Sequence, residues 1–257
     1  MIEIVLLGIP ILIHAGWGIA YLRTGKFNSF PSDGSTPSLP EYPRNQAYSW
    51  QRITSWILVV ALAGHIIHMR FIEYPASAKV DGQKYYMVRL DKDDGLVTLS
   101  QRLNVKLYDA QKIEKIKRTP NVFDEAKKPA STENDHQLAL LEAQKQQQQQ
   151  AFFAALEKRQ LTHGQVIAVA PDFGTAELLM VRETFKMPVM IVLYTIFVLS
   201  ACYHGFNGLW TFMITWGITL TQQSQRLMWH FSTFLMLLIA FLGLSAIWAT
   251  YWINLKH

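Results

Sequence analysis

Three histidines, His14, His65 and His204, lie inside long apolar stretches of this 257-residue chain. An ionisable imidazole in hydrocarbon carries a free-energy cost and therefore points to a function. A neutral imidazole that ligates haem iron has its ring nitrogens satisfied, so metal ligation is a chemical reason for these positions. The alternative for any single histidine is a packed polar residue that is hydrogen-bonded to the backbone of a neighbouring helix.

Four stretches that are nearly free of charge carry these histidines: 2–22, 53–72, 188–213 and 231–253. About 20 residues of helix, at about 1.5 Å per residue, cross roughly 30 Å of hydrocarbon. The first stretch is too long for a signal-peptide core and has neither a basic n-region nor a small-residue cleavage site. We therefore predict an all-α membrane protein with four transmembrane helices and a large polar insertion, divided into 1–72, 73–187 and 188–257.

Composition and charge exclude several classes of protein. A single cysteine, Cys202, excludes an internal disulfide framework and a cysteine-ligated iron–sulfur cluster. The net charge of +5 comes without an aromatic-basic motif or zinc spacing, so no nucleic-acid partner is expected. We call the side of the membrane on which the first helix ends side X. The short loops on side X carry more basic than acidic residues, which predicts that this side is cytoplasmic. The basic residues are Arg23, Lys26, Arg44, Arg52 and Arg226, and the acidic residues are Asp33 and Glu41.

The insertion has a different pattern from the apolar stretches. Residues 84–108 combine strand-like alternation with a DDG turn, 133–160 are typical of a helix, and 165–181 suggest strand and turn. The pattern alone leaves a small folded domain and a partly disordered loop both open. We interpret the insertion as a loop expansion without chemistry of its own.

The depth of each histidine can be counted along its helix. His14 lies eight residues before the end of the first helix and His204 nine before the end of the third, about 12 and 14 Å from side X. These two match in depth and can ligate one iron from opposite faces. His65 lies about 18 Å from side X and has no histidine partner at its own depth. His68, one turn further on, is nearer the interface.

Residues 203–227, YHGFNGLWTFMITWGITLTQQSQRL, strongly resemble the haem-bearing membrane anchor of B-type succinate dehydrogenases, the cytochrome b558 kind. The family pattern is close to FHxxNGLWxFxxTWGIxxTxxSQR. Residues 3–21 and 50–70 are similar to the second and third helices of that family, in the same order. The resemblance covers all four helices and the short loops, whereas the insertion has no counterpart.

The resemblance implies a five-helix bundle that binds two b haems, of which this chain carries helices two to five. It implies His14 and His204 as axial ligands of the haem nearer the cytoplasm, and His65 as a ligand of the distal haem. Arg52 and Arg70 are candidate cations for haem propionates or for a quinone region, although both also suit ordinary topology anchors. His68 is a candidate hydrogen-bonding partner of a quinone carbonyl.

The implied role is a non-catalytic electron-transfer subunit of succinate dehydrogenase, integral to the bacterial inner membrane. Flavoprotein and iron–sulfur subunits would deliver electrons from succinate, and the anchor would pass them to a quinone, for which the family favours menaquinone. Two other roles are kept open. One is a structural anchor whose histidines bind no haem, and the other is a standalone cytochrome b between quinone and an outer-face partner.

The family's first helix has no counterpart in this sequence, so His65 lacks the ligand that would share its iron. Three explanations are open. The first is a misassigned start, with the first helix encoded upstream. The second is a first helix that is a separate polypeptide. The third is a distal haem that is absent or differently ligated, for example by His68. The expectation is therefore one complete haem site and half of a second.

Overall fold

The computed structural model describes residues 4–21, 24–35, 38–118 and 135–255. The chain is mostly helical and also contains one small antiparallel sheet. In chain order the elements are α1 (Ile9–Tyr21), α2 (Pro43–Ile67), β1 (Ala76–Val80), β2 (Gln83–Asp91), α3 (Asp94–Arg102), β3 (Lys106–Tyr108), α4 (Ala110–Arg118), α5 (Asp135–Glu157), β4 (Gln165–Ala170), α6 (Phe173–Thr184), α7 (Pro188–Thr215) and α8 (Gln222–Leu255). Short π-helical segments, Ile4–Gly8 and His68–Ile72, precede α1 and follow α2.

The chain forms two compact units. The first comprises Met1–His65 and Leu193–Ala246, and the second comprises Ile66–Val192 and Ile247–His257. The sequence-based division at residues 72 and 187 stays a prediction about domain organisation.

Three helices are long and apolar enough to cross a membrane: Pro43–Ile72, Pro188–Thr215 and Gln222–Asn254. They correspond to the second, third and fourth of the predicted spans. The first predicted span forms a shorter apolar helix, Val5–Tyr21. The structure therefore supports three of the four predicted membrane helices by length and composition.

Two of these helices begin earlier than their apolar stretches indicated. Helix α2 begins at Pro43 and not near residue 53, and α8 begins at Gln222 and not near residue 231. Apolar content marks the part of a helix that suits lipid, whereas helical structure continues into polar residues with adequate propensity. Proline is favoured in a first helical turn because its missing N–H has no partner there. As a result, Arg44 and Arg52 both lie on α2.

The second unit contains a four-stranded antiparallel sheet with the strand order β1-β2-β4-β3. Strand β2 pairs with β4 from Tyr86 opposite Ala170 to Asp91 opposite Gln165. Alternate residues of these strands are buried on opposite faces of the sheet. One face packs against Leu156 of α5, and the other packs against Leu96 of α3 and Leu179 of α6. The all-α prediction is therefore wrong for the insertion, which folds as a sheet covered by helices.

The local predictions within the insertion have mixed outcomes. The strand-like alternation corresponds to β2, and the predicted helix over 133–160 corresponds to α5, whereas residues 119–134 lie outside the described ranges. The DDG segment starts α3 and does not form a turn between strands. Asp93 is the N-cap of α3, and its carboxylate accepts a hydrogen bond of 2.7 Å from the backbone N–H of Leu96.

Candidate functional site

His14 on α1 and His204 on α7 face each other in the first unit. Their ring centroids are 6.0 Å apart and their planes are inclined by 84°. A metal–imidazole bond is about 2 Å long, so two imidazoles on one metal ion have centroids roughly 6 Å apart. The pair therefore has the spacing of two axial ligands. An edge-to-face contact between two packed rings gives the same spacing.

Hydrogen bonding orients the His204 ring. Its Nδ1 lies 3.2 Å from the backbone carbonyl oxygen of Gln51 on α2. A carbonyl oxygen only accepts hydrogen bonds, so Nδ1 carries the proton and Nε2 keeps the lone pair that a metal ligand needs. A ligating histidine that donates its other N–H to a backbone carbonyl is the usual arrangement around a bound metal. The half-buried His204 thus fits an axial haem ligand on its own geometry.

The donor set also favours haem over a metal ion held by protein alone. Within the described ranges, no group of three or more His, Cys, Asp or Glu side chains is placed to hold a metal ion. Structural and catalytic zinc sites need three or four protein ligands. Haem supplies four nitrogen ligands from its macrocycle and takes only axial ligands from the protein. A pair of histidines is sufficient for that purpose.

Gln51 is a site residue that the sequence analysis missed. Its side-chain amide donates a hydrogen bond of 3.0 Å to the backbone carbonyl of His204, and its Oε1 accepts one of 2.8 Å from Asn207. Together with the Nδ1 contact, these bonds form a clamp between α2 and α7 around the histidine. A glutamine at the edge of an apolar stretch is a signal for such an interhelical hydrogen bond.

Replacing Gln51 with leucine should loosen this clamp without removing the backbone carbonyl that accepts from Nδ1. On the haem ligation proposed below, we expect a change in the midpoint potential of that haem, together with about 1–2 kcal/mol of lost stability from the two side-chain bonds. Redox titration followed optically, alongside thermal unfolding, measures both. The matched control is Gln223→Leu, at an exposed position at the start of α8. Equal potentials in wild type and Gln51→Leu would show that the clamp serves packing alone.

His65 has different surroundings from the facing pair. Its Nδ1 lies 2.9 Å from the hydroxyl of Tyr194, and its ring packs 5.8 Å from Tyr194 and 5.9 Å from Phe197. Tyr194 and Phe197 both lie on α7. His65 thus has the surroundings expected of a packed, hydrogen-bonded polar residue. A role as a metal ligand would use its other ring nitrogen, Nε2.

Arg52 lies on α2 beside two aromatic rings. Its guanidinium carbon is 5.2 Å from the Phe27 ring centroid and 5.6 Å from that of Tyr48, whose hydroxyl accepts a hydrogen bond of 3.0 Å from Nη1. Gly25 leaves room for this guanidinium, since a Cβ there would overlap Nη1. Among the residues that the structure describes, Arg52 forms no ion pair, and its buried Nε has no hydrogen-bond partner.

The two remaining predicted site residues, His68 and Arg70, belong to the second unit. The Arg70 guanidinium lies 4.9 Å from the Tyr74 ring centroid. His68 lines a cavity of about 270 Å³, and its buried Nδ1 has no hydrogen-bond partner among the described residues. The same cavity is lined by charged side chains from the insertion: Glu73, Arg89, Asp91, Glu183 and Lys186.

Helices of membrane-spanning length, with two facing histidines in the same unit, define the chain as a helical membrane protein. Over 70 residues it is 39% identical to the succinate dehydrogenase cytochrome b558 subunit of Bacillus subtilis (strain 168). The match covers 27% of this chain and 35% of that relative, so the chain spans about a third of the relative's length. No family model and no solved structure matches the chain. The match confirms the resemblance to a b558-type succinate dehydrogenase membrane anchor.

Proposed function

We propose that this protein is a haem b-containing membrane anchor of succinate:quinone oxidoreductase in a bacterial inner membrane. It passes electrons from an iron–sulfur subunit to a quinone, for which the resemblance favours menaquinone, while a flavoprotein subunit oxidises succinate. The observation that carries the proposal is the 6.0 Å spacing of His14 and His204, with Nδ1 of His204 bonded to Gln51. The similarity to a cytochrome b558 subunit supports the same role.

Each residue of the site has a defined task in this proposal. His14 and His204 would hold the iron of one haem, and Arg52 would pair with a propionate. The haem supplies one-electron redox chemistry when bound. The Gln51 carbonyl fixes the tautomer of His204, and the Gln51 side chain holds α2 and α7 together around it. Val5–Tyr21 completes the arrangement as a fourth helix within membrane lipid.

His65 is proposed as a ligand of a second haem, with the Tyr194 hydroxyl orienting its ring through Nδ1. The ligand on the opposite face of that haem is proposed to come from a first helix outside this sequence. Arg70 is proposed as a cation for a haem propionate or for a quinone. A spectrum with a single b-type component would leave His65 in the packed role that its contacts with Tyr194 and Phe197 also support.

The decisive experiment is purification of the full chain from its own membranes by an affinity tag. The proposed function predicts a reducible b-type spectrum in the purified material, together with co-purified flavin and iron–sulfur subunits. Absence of any b-type absorption would favour the haem-free structural anchor. A b-type spectrum without flavin and iron–sulfur subunits would instead favour a standalone quinone-linked cytochrome b.

A further inference from the structure

The insertion and the ends of two membrane-spanning helices line a cavity of about 270 Å³, which lies within the second unit. His68 comes from the end of the Pro43–Ile72 span, and Met187 immediately precedes the Pro188–Thr215 span. Strand β2 and helix α6 supply much of the remaining wall. Because both spans end here, the cavity lies at the depth where hydrocarbon gives way to lipid headgroups.

Most of the charged groups around this cavity already have a partner of opposite charge. Glu73 pairs with Arg159. The Nζ of Lys186 lies 2.7 Å from a carboxylate oxygen of Glu183 and 2.7 Å from one of Asp93. These ion pairs satisfy one another without a ligand, so they form the wall of the cavity and do not by themselves select what it binds.

Two charged side chains of β2 that line the cavity, Arg89 and Asp91, form no ion pair in the part of the chain that the structure describes. The Arg89 guanidinium makes one long hydrogen bond, of 3.4 Å, to the carbonyl of Gln160. One carboxylate oxygen of Asp91 accepts a hydrogen bond of 3.0 Å from the Gln165 amide. Residues two apart on a strand share a face and lie about 7 Å from each other. Among the described residues, the cavity therefore presents an unpaired cation beside an unpaired carboxylate.

His68 and Glu183 also indicate a ligand in this cavity. The buried Nδ1 of His68 has no hydrogen-bond partner among the described residues, although buried polar groups are rarely left unpaired. Burial raises the pKa of the Glu183 carboxyl even though Lys186 lies beside it. Lys186 therefore does not fully compensate this carboxylate, and a further positive charge in the cavity would stabilise its ionised form.

We propose that this cavity binds the headgroup of phosphatidylethanolamine, with its phosphate on Arg89 and His68 and its ammonium on Asp91 and Glu183. Arginine binds phosphate through charge-assisted hydrogen bonds, and carboxylates accept equivalent bonds from an ammonium group. A zwitterionic headgroup matches a wall that offers one unpaired charge of each sign, whereas a simple anion would leave Asp91 uncompensated. The depth of the cavity favours a lipid over a soluble phosphodiester, because acyl chains extend into the hydrocarbon beside the spans. The bound headgroup would hold the insertion on the membrane surface, which is a role beyond the proposed function.

The test is native mass spectrometry of the full chain in detergent, titrated with dioleoyl phosphatidylethanolamine or with dioleoyl phosphatidylglycerol. The second lipid keeps the phosphate and has no ammonium group. The wild-type protein should bind the ethanolamine lipid about fivefold more tightly. Arg89→Gln should raise Kd for this lipid about tenfold, and Asp91→Asn should abolish the preference between the two lipids. Arg102→Gln is the matched control, because it makes the same substitution at an exposed arginine of the second unit that does not line the cavity.

Equal Kd values for the two lipids in the wild-type protein would overturn the proposal, as would an unchanged Kd in Arg89→Gln. Glycerophosphoethanolamine, the same headgroup without acyl chains, should not displace the lipid at equal concentration. Displacement would show that the ligand is a soluble phosphodiester and would overturn the lipid assignment. If Arg89→Gln does not fold, Met187→Trp takes its place, because it fills the cavity with every charge retained and should also weaken binding of the lipid. The titration does not require haem, so a protein without a b-type spectrum would contradict the proposed function and leave this inference standing.

Discussion

Replacing either His14 or His204 with alanine should abolish the same b-type component in the reduced-minus-oxidised spectrum of the purified protein. Their ring centroids are 6.0 Å apart, and on the proposed ligation each substitution removes one of two ligands from a single iron. Haem in such a site is held largely by its axial bonds and by burial. We expect almost complete loss of that component in both variants. Optical spectra normalised to protein content, with haem extracted and counted, provide the measurement.

Two further histidine variants make this result interpretable. His163 is exposed in the second unit, and His163→Ala should leave the spectrum unchanged. His65→Ala should also leave the His14–His204 component intact and affect only a second component. Loss of different components in His14→Ala and His204→Ala would show that the two histidines do not share an iron, and the facing geometry would then be an ordinary ring contact.

The pairing of His14 with His204 could be predicted from sequence because depth in a membrane is a one-dimensional quantity. Rise per residue converts position along each apolar stretch into height, and matched heights bring residues on antiparallel helices together. The Gln51 clamp could not be predicted in the same way. It depends on which faces of α2 and α7 meet, and helices that are apolar on every side carry little information about rotation around their axes.

The insertion shows a different limit. Alternation along residues 84–91 indicated a strand, and β2 lies there because its buried residues pack on both faces of the sheet. The DDG segment was ambiguous, since Asp and Gly are favoured both in turns and at helix N-caps. A distant residue also binds this segment. Arg182, 89 positions further along the chain, pairs with Asp93 through two hydrogen bonds of 2.7 and 3.0 Å.

Replacing Asp93 with alanine should strongly destabilise the insertion. The carboxylate caps α3, receives both bonds from Arg182 and lies 2.7 Å from Nζ of Lys186. The side chains of Asp93 and Arg182 are only 23% and 11% exposed. Removing one partner of such a pair costs about 3–5 kcal/mol because the other charge is left without compensation. Hydrogen exchange of the β2 and β4 amides in the full chain measures the loss.

A surface ion pair in the same unit provides the control. Lys117 and Glu157 are 35% and 46% exposed, so Lys117→Ala should leave the exchange of the β2 and β4 amides almost unchanged. A double-mutant cycle between Asp93→Ala and Arg182→Ala should show strong coupling. If the losses of stability in Asp93→Ala and Arg182→Ala simply add in the double variant, the ion pair contributes little. The destabilisation by Asp93→Ala then comes from the lost helix cap.

The ion pair should also make the stability of the insertion depend on pH in the acidic range. Burial alone would raise the pKa of Asp93, but the hydrogen bonds from Arg182, Lys186 and the Leu96 N–H outweigh it and hold the pKa well below its usual range. A carboxyl whose folded-state pKa is depressed contributes its full stabilisation above the unfolded-state pKa of about 4 and loses it as pH falls further. Asp93→Asn keeps a capping oxygen and removes the charge. The stability difference between wild type and Asp93→Asn should therefore be constant from pH 7 to about 5 and shrink below about 4. A difference that stays the same down to pH 3 would show that the charge of Asp93 does not carry the stabilisation.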